Sequence, residues 1–362
     1  MEKLVDMDYR LLENKYKNKK VFLTGHTGFK GSWMLLLLER LGAQVKGFSL
    51  EPDESNSHYS LIKGDEKCIS IIGDIRNKEF LKREILEFEP DYIFHLAAQA
   101  LVRESYLRPT DTYETNVLGT AYLLDALRAL PNPCNIVIVT TDKVYYNKEW
   151  NYPYREQDQL GGYDPYSSSK ACVELLVDSY RNSYFNIDDF ASHRKHIATA
   201  RAGNVIGGGD WSKDRLIPDI IKSLKEGEQI NLRNPNSVRP WQHVLEPLGA
   251  YLLLGAMLGD NPSKYGRAWN FGPFIEDTIK VVELTELCVK QWGSGSINII
   301  KDCNMPHEAG LLKLDISDTI DMLKWKPKYD STLAIQKTVQ WYKELIDYNR
   351  VISNKQVEEF LM

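Results

Sequence analysis

The sequence has little of what disulfide frameworks, membrane spans and nucleic-acid surfaces require. Its five cysteines are an odd number, widely spaced and without a Cys-x-x-Cys pair, which favours a reduced compartment over a disulfide or zinc framework. The longest aliphatic run, around residues 34–38, is far shorter than the ~20 residues of a membrane span, and the charged N-terminus has no apolar signal core. The net charge of -5 argues against a general nucleic-acid or anionic membrane surface. We therefore expect a cytoplasmic protein with neither of these partners.

A metal-ligand pattern is also absent from the sequence. The histidines number only seven, and His193-x-x-His196 lies in a basic stretch that we interpret as solvated surface. No repeat or low-complexity segment interrupts the chain. With 362 residues and 43% hydrophobic content, the chain can bury a large core, as one large α/β domain or two closely joined ones. We expect no metal site.

The clearest local pattern is a strand, a glycine turn and a helix near the N-terminus. Lys20-Val-Phe-Leu-Thr24 reads as a buried strand and leads directly into Gly25-His-Thr-Gly28-Phe-Lys-Gly31, followed by an apolar helical run. Glycines at this spacing permit a tight turn and let the backbone approach a pyrophosphate at the helix N-terminus. The pattern predicts a dinucleotide site, with His26 at a phosphate. Its predicted cofactor contacts are Gly25, His26, Gly28, Phe29, Lys30 and Gly31.

Further along the chain, strands and helices alternate. Apolar strand patterns recur at residues 44–50, 68–72, 91–98 and 135–140, separated by helical patterns. This alternation predicts a doubly wound parallel sheet of the Rossmann type, with ligands at the carboxyl ends of the strands. Strand ends and the segment after them supply the remaining cofactor contacts, with Asp74 near the adenine. These predicted contacts are Ser49, Asp74, Ile75, Leu96, Ala97, Ala98, Gln99 and Asn116, together with Tyr166 and Lys170 later in the chain.

The domain organisation follows from where this alternation weakens. We predict a cofactor-binding domain over residues 18–204, with segments near 240–275 returning to it. A smaller, partly interleaved C-terminal substrate lobe takes up most of residues 205–345, where glycines and prolines break the pattern. Residues 1–17 and 346–362 are expected to be accessory tails.

The choice of dinucleotide is open on these residues alone. NAD enzymes usually place an acidic residue at the end of the second strand, but this chain has Ser49-Leu50 there. No arginine stands beside Ser49 to take the 2′-phosphate of NADP. Glu51 or Asp53 is then the acidic candidate for the ribose.

A second pattern points to proton transfer. Tyr166 and Lys170 are four residues apart, so on a helix they share one face. A cation fixed beside a phenol favours the phenolate, so we expect Lys170 to bring Tyr166 towards general-base strength. The Thr141-Asp142-Lys143 segment follows the strand at 135–140 and adds further proton-transfer groups at a strand end.

Gly25-x-x-Gly28-x-x-Gly31, Tyr166-x-x-x-Lys170 and Asn116-Val-Leu-Gly119-Thr120 together resemble the extended short-chain dehydrogenase/reductase family, over residues 18 to 345. This resemblance implies NAD as cofactor. Within the family, the segments 141–145, 201–211 and 239–244 resemble the nucleotide-sugar 4,6-dehydratases that act on CDP-glucose in deoxysugar biosynthesis for surface polysaccharides. Hexose 4-epimerases of the family lack an Asp-Lys or Asp-Glu pair after the threonine, and the thymidine-nucleotide dehydratases have Glu in place of Lys143.

The resemblance implies roles for the catalytic set Thr141, Asp142, Lys143, Tyr166 and Lys170. Tyr166, supported by Lys170 and Thr141, takes the proton from the sugar O4 while the C4 hydride passes to NAD. The resulting ketone acidifies C5–H, so that Lys143 acts as base there and Asp142 as acid at the C6 hydroxyl. Those roles need a neutral lysine and a protonated carboxyl, which we expect burial to provide. Adjacent strand residues point to opposite sides, so we expect the two not to form a simple ion pair.

Substrate contacts are expected from polar residues near the strand ends and in the irregular later segments, where arginines suit the two phosphates of a nucleotide-sugar. The predicted contacts are Gln99, Arg103, Asn204, Arg215, Arg233 and Arg239. Trp211 and Trp241 are candidates either for stacking on a base or for core packing.

The same residues leave other functions open. The alternatives are 4-epimerisation or dehydration of another nucleotide-hexose, and a non-catalytic dinucleotide-binding regulator. Two helical stretches, 111–130 and 166–182, pair across a two-fold axis in the family, which implies a homodimer or tetramer. The residues expected to line that seam are Ala121, Leu124, Leu127, Val173 and Leu176.

Overall fold

The computed structural model describes residues 9–52, 56–300 and 311–362. Its strands are β1 Lys20–Thr24, β2 Gln44–Ser49, β3 Ile69–Ile72, β4 Tyr92–His95, β5 Cys134–Val139, β6 Lys195–Ala202, β7 Asn204–Ile206, β8 Ile230–Leu232, β9 Val238–Arg239, β10 Trp241–His243, β11 Ala268–Phe271, β12 Ile279–Lys280 and β13 Ile297–Ile299. Its α-helices are α1 Tyr9–Tyr16, α2 Phe29–Arg40, α3 His58–Leu61, α4 Lys78–Phe88, α5 Val102–Leu107, α6 Pro109–Tyr113, α7 Gly119–Ala129, α8 Pro165–Ser183, α9 Phe190–His193, α10 Leu216–Glu226, α11 Leu245–Asp260, α12 Pro262–Tyr265, α13 Val281–Trp292, α14 Ser331–Tyr348 and α15 Ser353–Leu361.

The centre of the molecule is a parallel sheet of seven strands. Its order is β3-β2-β1-β4-β5-β6-β11, and each neighbouring pair runs in the same direction. The order reverses between β1 and β4, which is the switch point where ligands bind in doubly wound folds. The predicted doubly wound parallel sheet is confirmed.

Side-chain alternation along the strands builds a core on each face of this sheet. In β1, Val21 and Leu23 belong to one buried cluster, whereas Phe22 between them belongs to the other. In β5 the same alternation separates Val137 from Ile136. Helices α2 and α11 cover the first face, and α4, α7 and α8 cover the second. Strands buried on both faces read as continuous apolar runs, and this explains the sequence pattern.

Helices at both ends of the described chain pack on the core. The Tyr16 hydroxyl of α1 donates to the carbonyl of Leu252 at 2.6 Å. Helix α15 buries Val357 and Phe360 and packs against α2. Residues 1–8 of the predicted N-terminal tail lie outside the described residues.

Short paired strands follow β6. They form the pairs β7 with β10, β8 with β13 and β9 with β12, while β11 returns to the edge of the large sheet. The division into a cofactor domain at 18–204 and a substrate lobe at 205–345 stays a prediction. Across the part of the chain that the structure describes, no helix is long and apolar enough to cross a membrane.

The apolar residues predicted for a subunit seam belong largely to the protomer's own core. Leu124, Leu127 and Val173 are buried beneath α7 and α8 against the sheet. Helical periodicity reveals an apolar face but not what covers it, so this part of the seam prediction is wrong. The exposed apolar residues of the same region are Leu118 and Leu175, at 46% and 61% exposure.

Candidate active site

A cavity of about 1530 Å³ opens at the carboxyl ends of the strands. Its walls come from the glycine turn, the ends of β2, β4 and β5, the start of α8, and the segments around β7, α10 and β8. Most of the predicted site residues meet at this cavity. Those at the wall are Gly25, Gly28, Phe29, Lys30, Gly31, Ser49, Asp74, Ile75, Leu96, Ala97, Ala98, Gln99, Arg103, Thr141, Lys143, Tyr166, Lys170, Asn204, Arg215, Arg233 and Arg239.

The glycine turn has the close approach that a pyrophosphate site needs. Gly25 has φ of +76°, a conformation that favours glycine. A Cβ atom on Gly31 would lie 1.9 Å from the Gly25 carbonyl oxygen, so only glycine fits where α2 meets the turn. Gly28 is the N-cap of α2 and offers no side chain to the first-turn N–H groups. Those N–H groups and the helix dipole remain available for an anion, so this turn fits a dinucleotide phosphate.

His26 lies away from that turn's phosphate side, contrary to the prediction. Its Nε2 hydrogen-bonds the Ser70 hydroxyl at 2.9 Å, and its ring meets Tyr59 edge-on at 5.3 Å. A Cβ on Gly47 would come within 2.3 Å of the His26 ring, so a glycine in β2 makes the space for it. Burial lowers the pKa of His26 to about 4. His26 is therefore a neutral packing residue beneath β2.

The end of β2 carries a hydroxyl pair where an acidic residue is usual. The Thr27 hydroxyl donates to the Leu50 carbonyl at 2.9 Å and lies 2.8 Å from the Ser49 hydroxyl. Asp74, at the neighbouring strand end, is held by Arg76, whose hydrogen bond lowers the pKa of this carboxyl. Glu51 is also at the wall, and Asp53 lies outside the described residues.

The Asn116 side chain is buried, joins two segments of the chain through hydrogen bonds, and does not reach the cavity wall. Its side chain accepts from the Gln99 N–H at 2.8 Å and donates to the Gln99 carbonyl at 3.0 Å. It also donates to the Ser169 hydroxyl at 2.8 Å. Asn116 thus ties the segment after β4 to α8 and positions both, and the predicted cofactor contact is replaced by this structural role. The amide of Gln99 is in turn held by Leu101 and Thr112.

The start of α8 places Tyr166 and Lys170 at the cavity. Asp164 caps the helix by accepting from the Ser167 N–H at 2.9 Å, and Pro165 takes the first helical position. Asp164 also lines the cavity and was missed from the sequence, although an Asp-Pro pair before an apolar helix is a start signal. The cap fixes Tyr166 in the first turn.

Lys170 does not tune Tyr166 as expected. The Lys170 ammonium donates to the Val139 carbonyl at 3.1 Å, and burial lowers its pKa to about 8. Burial raises the pKa of Tyr166 to about 12, against the opposing effect of a hydrogen bond from Thr141. The prediction that Lys170 brings this phenol towards neutral pH is therefore wrong for the protein by itself, because burial dominates the pKa of Tyr166 and the cation that lowers it is Arg215.

Asp142 and Lys143 form an ion pair, which corrects a second expectation. They lie in a 3-10 turn, Asp142–Val144, and not on a strand, so their side chains do not point to opposite sides. The Lys143 ammonium is 3.6 Å from Asp142 Oδ1, which also accepts from the Thr141 hydroxyl at 2.9 Å. Asp142 is only 2% exposed and lies behind the wall, whereas Lys143 reaches the cavity.

A buried carboxylate beneath this set was missed from the sequence. Glu174 accepts from the hydroxyls of Thr140 and Thr199, at 2.5 and 2.7 Å, and from Arg201 at 3.0 Å. It therefore ties α8 to the ends of β5 and β6. The sequence signal for Glu174 was its position one helical turn after Lys170, on the same face of α8.

Lys30 is a further cation at the wall. Its ammonium lies 6.0 Å from the ring centroid of the buried Tyr251. Burial, with repulsion from Arg215 and Lys170, lowers the pKa of Lys30 to about 7. A positive charge in the first turn of a helix is unfavourable, because the N-terminal end of the helix dipole is also positive. The charge of Lys30 therefore does not stabilise α2.

The predicted substrate arginines lie at the cavity, and carboxylates among the described residues pair with Arg103 and Arg215. Arg103 meets Asp214 at 2.5 Å, and Arg215 meets Asp210 at 3.0 Å. These carboxylates hold the guanidinium groups in place at the wall.

Both tryptophans pack on the core. Trp211 lies edge-on against Tyr342 at 5.1 Å, and Trp241 is a buried core residue that also lines the cavity. His196, which was expected on the surface, is buried and stacks on Phe190 at 4.3 Å. Among the described residues, no cluster of His, Cys, Asp or Glu is arranged to hold a metal ion.

Comparison with known proteins places this geometry in context. Residues 22–338 match the family described as GDP-mannose 4,6 dehydratase. The CDP-glucose 4,6-dehydratase of Salmonella typhimurium is 44% identical over 351 residues, covering 96% of this chain and 98% of that protein. Among solved structures, a dTDP-glucose 4,6-dehydratase from Streptomyces venezuelae with NAD bound has a TM-score of 0.75 at 24% identity, covering 90% of this chain and 97% of that one. The UDP-glucose 4-epimerase of Thermotoga maritima has a TM-score of 0.76 at 20% identity, covering 90% and 99%. At such low identity the solved structures bear on the fold alone.

Proposed function

The chain belongs to the GDP-mannose 4,6 dehydratase family, and on that premise we propose that it is a lyase that removes water from CDP-glucose, giving CDP-4-dehydro-6-deoxyglucose, with NAD as cofactor. The observation that carries the proposal is the meeting of Thr141 and Lys143 with Tyr166 at one cavity wall beside a dinucleotide-binding turn. The relative that is 44% identical over nearly the whole chain bears this activity in its name.

The dinucleotide end of the cavity supports the cofactor. The N–H groups of α2 after Gly28 would hold the pyrophosphate, and Ser49 and Asp74 lie where ribose and adenine are expected. When bound, NAD accepts a hydride from C4 of the sugar and returns it to C6. The end of β2, Ser49-Leu50, carries no arginine to bind the 2′-phosphate of NADP, so we propose NAD as the cofactor.

The residues of the chain supply the proton transfers. Tyr166 takes the proton from O4, with Thr141 at the same cavity wall. Lys143, which reaches the cavity, is the base for C5–H in this proposal. Asp142 is the acid for the departing C6 hydroxyl.

Their ion pair is compatible with these roles. Moving a proton from the Lys143 ammonium to the Asp142 carboxylate turns the pair into a neutral amine and a neutral acid. The 3.6 Å separation of the Lys143 ammonium and Asp142 Oδ1 gives that proton a short path.

The test is a panel of CDP-, UDP-, GDP- and dTDP-glucose incubated with purified protein. We expect CDP-glucose to lose water most rapidly, seen as the mass change and as the 4-keto product. Faster turnover of UDP-, GDP- or dTDP-glucose would make that nucleotide-sugar the proposed substrate in place of CDP-glucose. Formation of a C4 epimer without loss of water would replace the dehydratase with an epimerase.

We also propose that the working form is at least a homodimer in the cytoplasm. The exposed apolar side chains Leu118 and Leu175 support a subunit contact on the α7 and α8 side. The four cysteines among the described residues are unpaired, in keeping with a reduced compartment. A monomeric mass by light scattering at micromolar concentration would contradict the dimer.

A further inference from the structure

We propose that His95 and Thr120 are positioning residues that hold the cofactor-binding segment after β4 in register with Tyr166. Both are only 2% exposed and lie behind the cavity wall. The proposal rests on the proposed dehydratase function, because that function needs the cofactor and Tyr166 at one place. The two residues belong to a set of hydrogen-bonded side chains that reaches from β1 to α8, called the buried network here. Its members are Thr24, His95, Thr120, Asn116 and Ser169.

The buried network begins with the Thr24 hydroxyl at the end of β1. This hydroxyl accepts from the N–H groups of Leu96 and Ala97, each at 3.1 Å, and both of those residues line the cavity. It also lies 2.8 Å from His95 Nδ1. Because two N–H groups occupy the acceptor positions of the hydroxyl, its single proton must point to His95. Thr24 therefore holds the cofactor-binding segment and His95 together.

His95 extends this connection to the next helical segment. Its Nε2 lies 3.0 Å from the Thr120 hydroxyl, which donates to the Asn116 carbonyl at 2.6 Å. Since a carbonyl oxygen can only accept, the Thr120 proton points to Asn116, and Thr120 accepts from His95. These bonds require a neutral imidazole with its proton on Nε2. Burial lowers the pKa of His95 to about 3, which agrees with that state.

The Asn116 side chain completes the connection to α8. Its amide N–H donates to the Ser169 hydroxyl at 2.8 Å, and that hydroxyl donates to the Tyr166 carbonyl at 2.7 Å. The amide oxygen of Asn116 accepts from the Gln99 N–H at 2.8 Å. The segment after β4 is thus held both by Thr24 and by Asn116. The network joins this segment, on the cofactor side of the cavity, to the first turn of α8 with Tyr166.

The composition of the buried network points to positioning. Its side chains are at most 2% exposed, and each of their polar atoms has a hydrogen-bond partner. Apolar side chains could fill the same space without the desolvation cost of polar ones. A fully bonded polar set instead fixes one arrangement of the segments that it joins. Asn116 also lies in a π-helical turn, Glu114–Leu118, a feature that is frequent at functional sites.

The experiment removes one hydroxyl from the network and compares it with a matched hydroxyl elsewhere. Thr120→Val keeps the shape of the side chain, whereas Thr120→Ser keeps the hydroxyl. Thr338→Val is the control, because Thr338 is also buried in a helix and its hydroxyl donates to the Ala334 carbonyl, four residues earlier, at 2.7 Å. Thr120 makes the same kind of bond to Asn116. The two valine variants therefore differ in whether the lost hydroxyl also belongs to the network.

Three measurements distinguish positioning from a structural role. Stopped-flow absorbance of bound NADH, in single turnovers with saturating CDP-glucose, gives the rate of the first hydride transfer. A fluorescence titration gives the affinity for NADH. Hydrogen exchange followed by mass spectrometry, on protein without substrate, gives the protection of the peptide that contains Leu96 and Ala97.

We expect Thr120→Val to slow the first hydride transfer by a factor on the order of 10 to 100, because small displacements of reacting groups have effects of this size. The affinity for NADH should change far less, since the glycine turn is untouched. The peptide with Leu96 and Ala97 should exchange faster than in the wild type. Thr120→Ser should restore both the rate and the protection, and Thr338→Val should leave both at their wild-type values.

The proposal is overturned if Thr120→Val transfers the first hydride as rapidly as Thr338→Val, or if the exchange of the peptide with Leu96 and Ala97 is unchanged. If Thr120→Val does not fold, Ser169→Ala breaks the network at α8 and is expected to slow the same step. A wild type that loses no water from CDP-glucose would refute the proposed dehydratase function. The exchange comparison would then still decide whether the network holds the segment after β4.

Discussion

The buried ion pair of Glu174 and Arg201 gives the sharpest test of how the site is held. We consider Glu174→Leu and Arg201→Met, singly and together, since each replacement has a similar volume. Glu174 joins α8 to β5 and β6, and both side chains are at most 4% exposed. Either single change leaves one buried charge without its partner, which typically costs about 3–5 kcal/mol.

The double variant should lose far less unfolding free energy than the sum of the two single losses. With both charges gone, what remains is the lost hydrogen bonding of Thr140, Thr199 and the Glu156 carbonyl, at about 1 kcal/mol each. Tyr145 loses Arg201 as a partner but keeps its bond to Asn270 at 2.7 Å. We therefore expect the double variant to lose about 3 kcal/mol, well below the sum of the two single changes.

Urea denaturation followed by circular dichroism measures these changes in the free energy of unfolding. Arg350→Met is the matched control, because its pair with Glu344 at 2.8 Å is largely exposed on the arginine side, at 61%. It should cost less than about 1 kcal/mol. Single losses at Glu174 and Arg201 as small as the control, or a double loss equal to their sum, would refute this reasoning.

Two further predictions concern acid stability and the glycine turn. Burial lowers the pKa of His58, His95 and His243 to about 3, below their unfolded value, so these residues stabilise the fold fully above about pH 6.5. Stability should fall as the pH drops below that value, by up to about 1.4 kcal/mol per pH unit for each residue, and an unfolding free energy unchanged between pH 7 and pH 5 would contradict this. Gly31→Ala should abolish NADH binding in a fluorescence titration, because its Cβ would lie 1.9 Å from the Gly25 carbonyl oxygen. Gly272→Ala, whose Cβ meets atoms no closer than 3.8 Å, is its control, and undiminished NADH affinity in Gly31→Ala would contradict the role of the turn.

Local patterns in the sequence predicted the sheet well. The run from Val21 to Leu23 is apolar throughout because its residues enter two different cores, and that burial is visible as an unbroken hydrophobic stretch. The glycine turn was predictable because backbone conformation and close approach restrict it to glycine. Both features depend on neighbours along the chain.

The errors concern contacts between distant segments. His26 is turned under β2 by Ser70 and Tyr59, and Asn116 is held by Gln99 and Ser169. None of these partners can be recognised from spacing. Asp142 and Lys143 were misjudged for a local reason, because β5 ends at Val139 and a 3-10 turn begins at Asp142.

The most direct test of the dehydratase function is a reaction of the wild-type protein with CDP-glucose and NAD in deuterium oxide, with the product analysed by NMR. The proton that Lys143 removes from C5 exchanges with solvent before its replacement arrives. We therefore predict a 4-keto-6-deoxy product that carries deuterium at C5, with the bound cofactor oxidised at the end. A product that keeps its C6 hydroxyl and is only inverted at C4, or one with protium retained at C5, would contradict this chemistry.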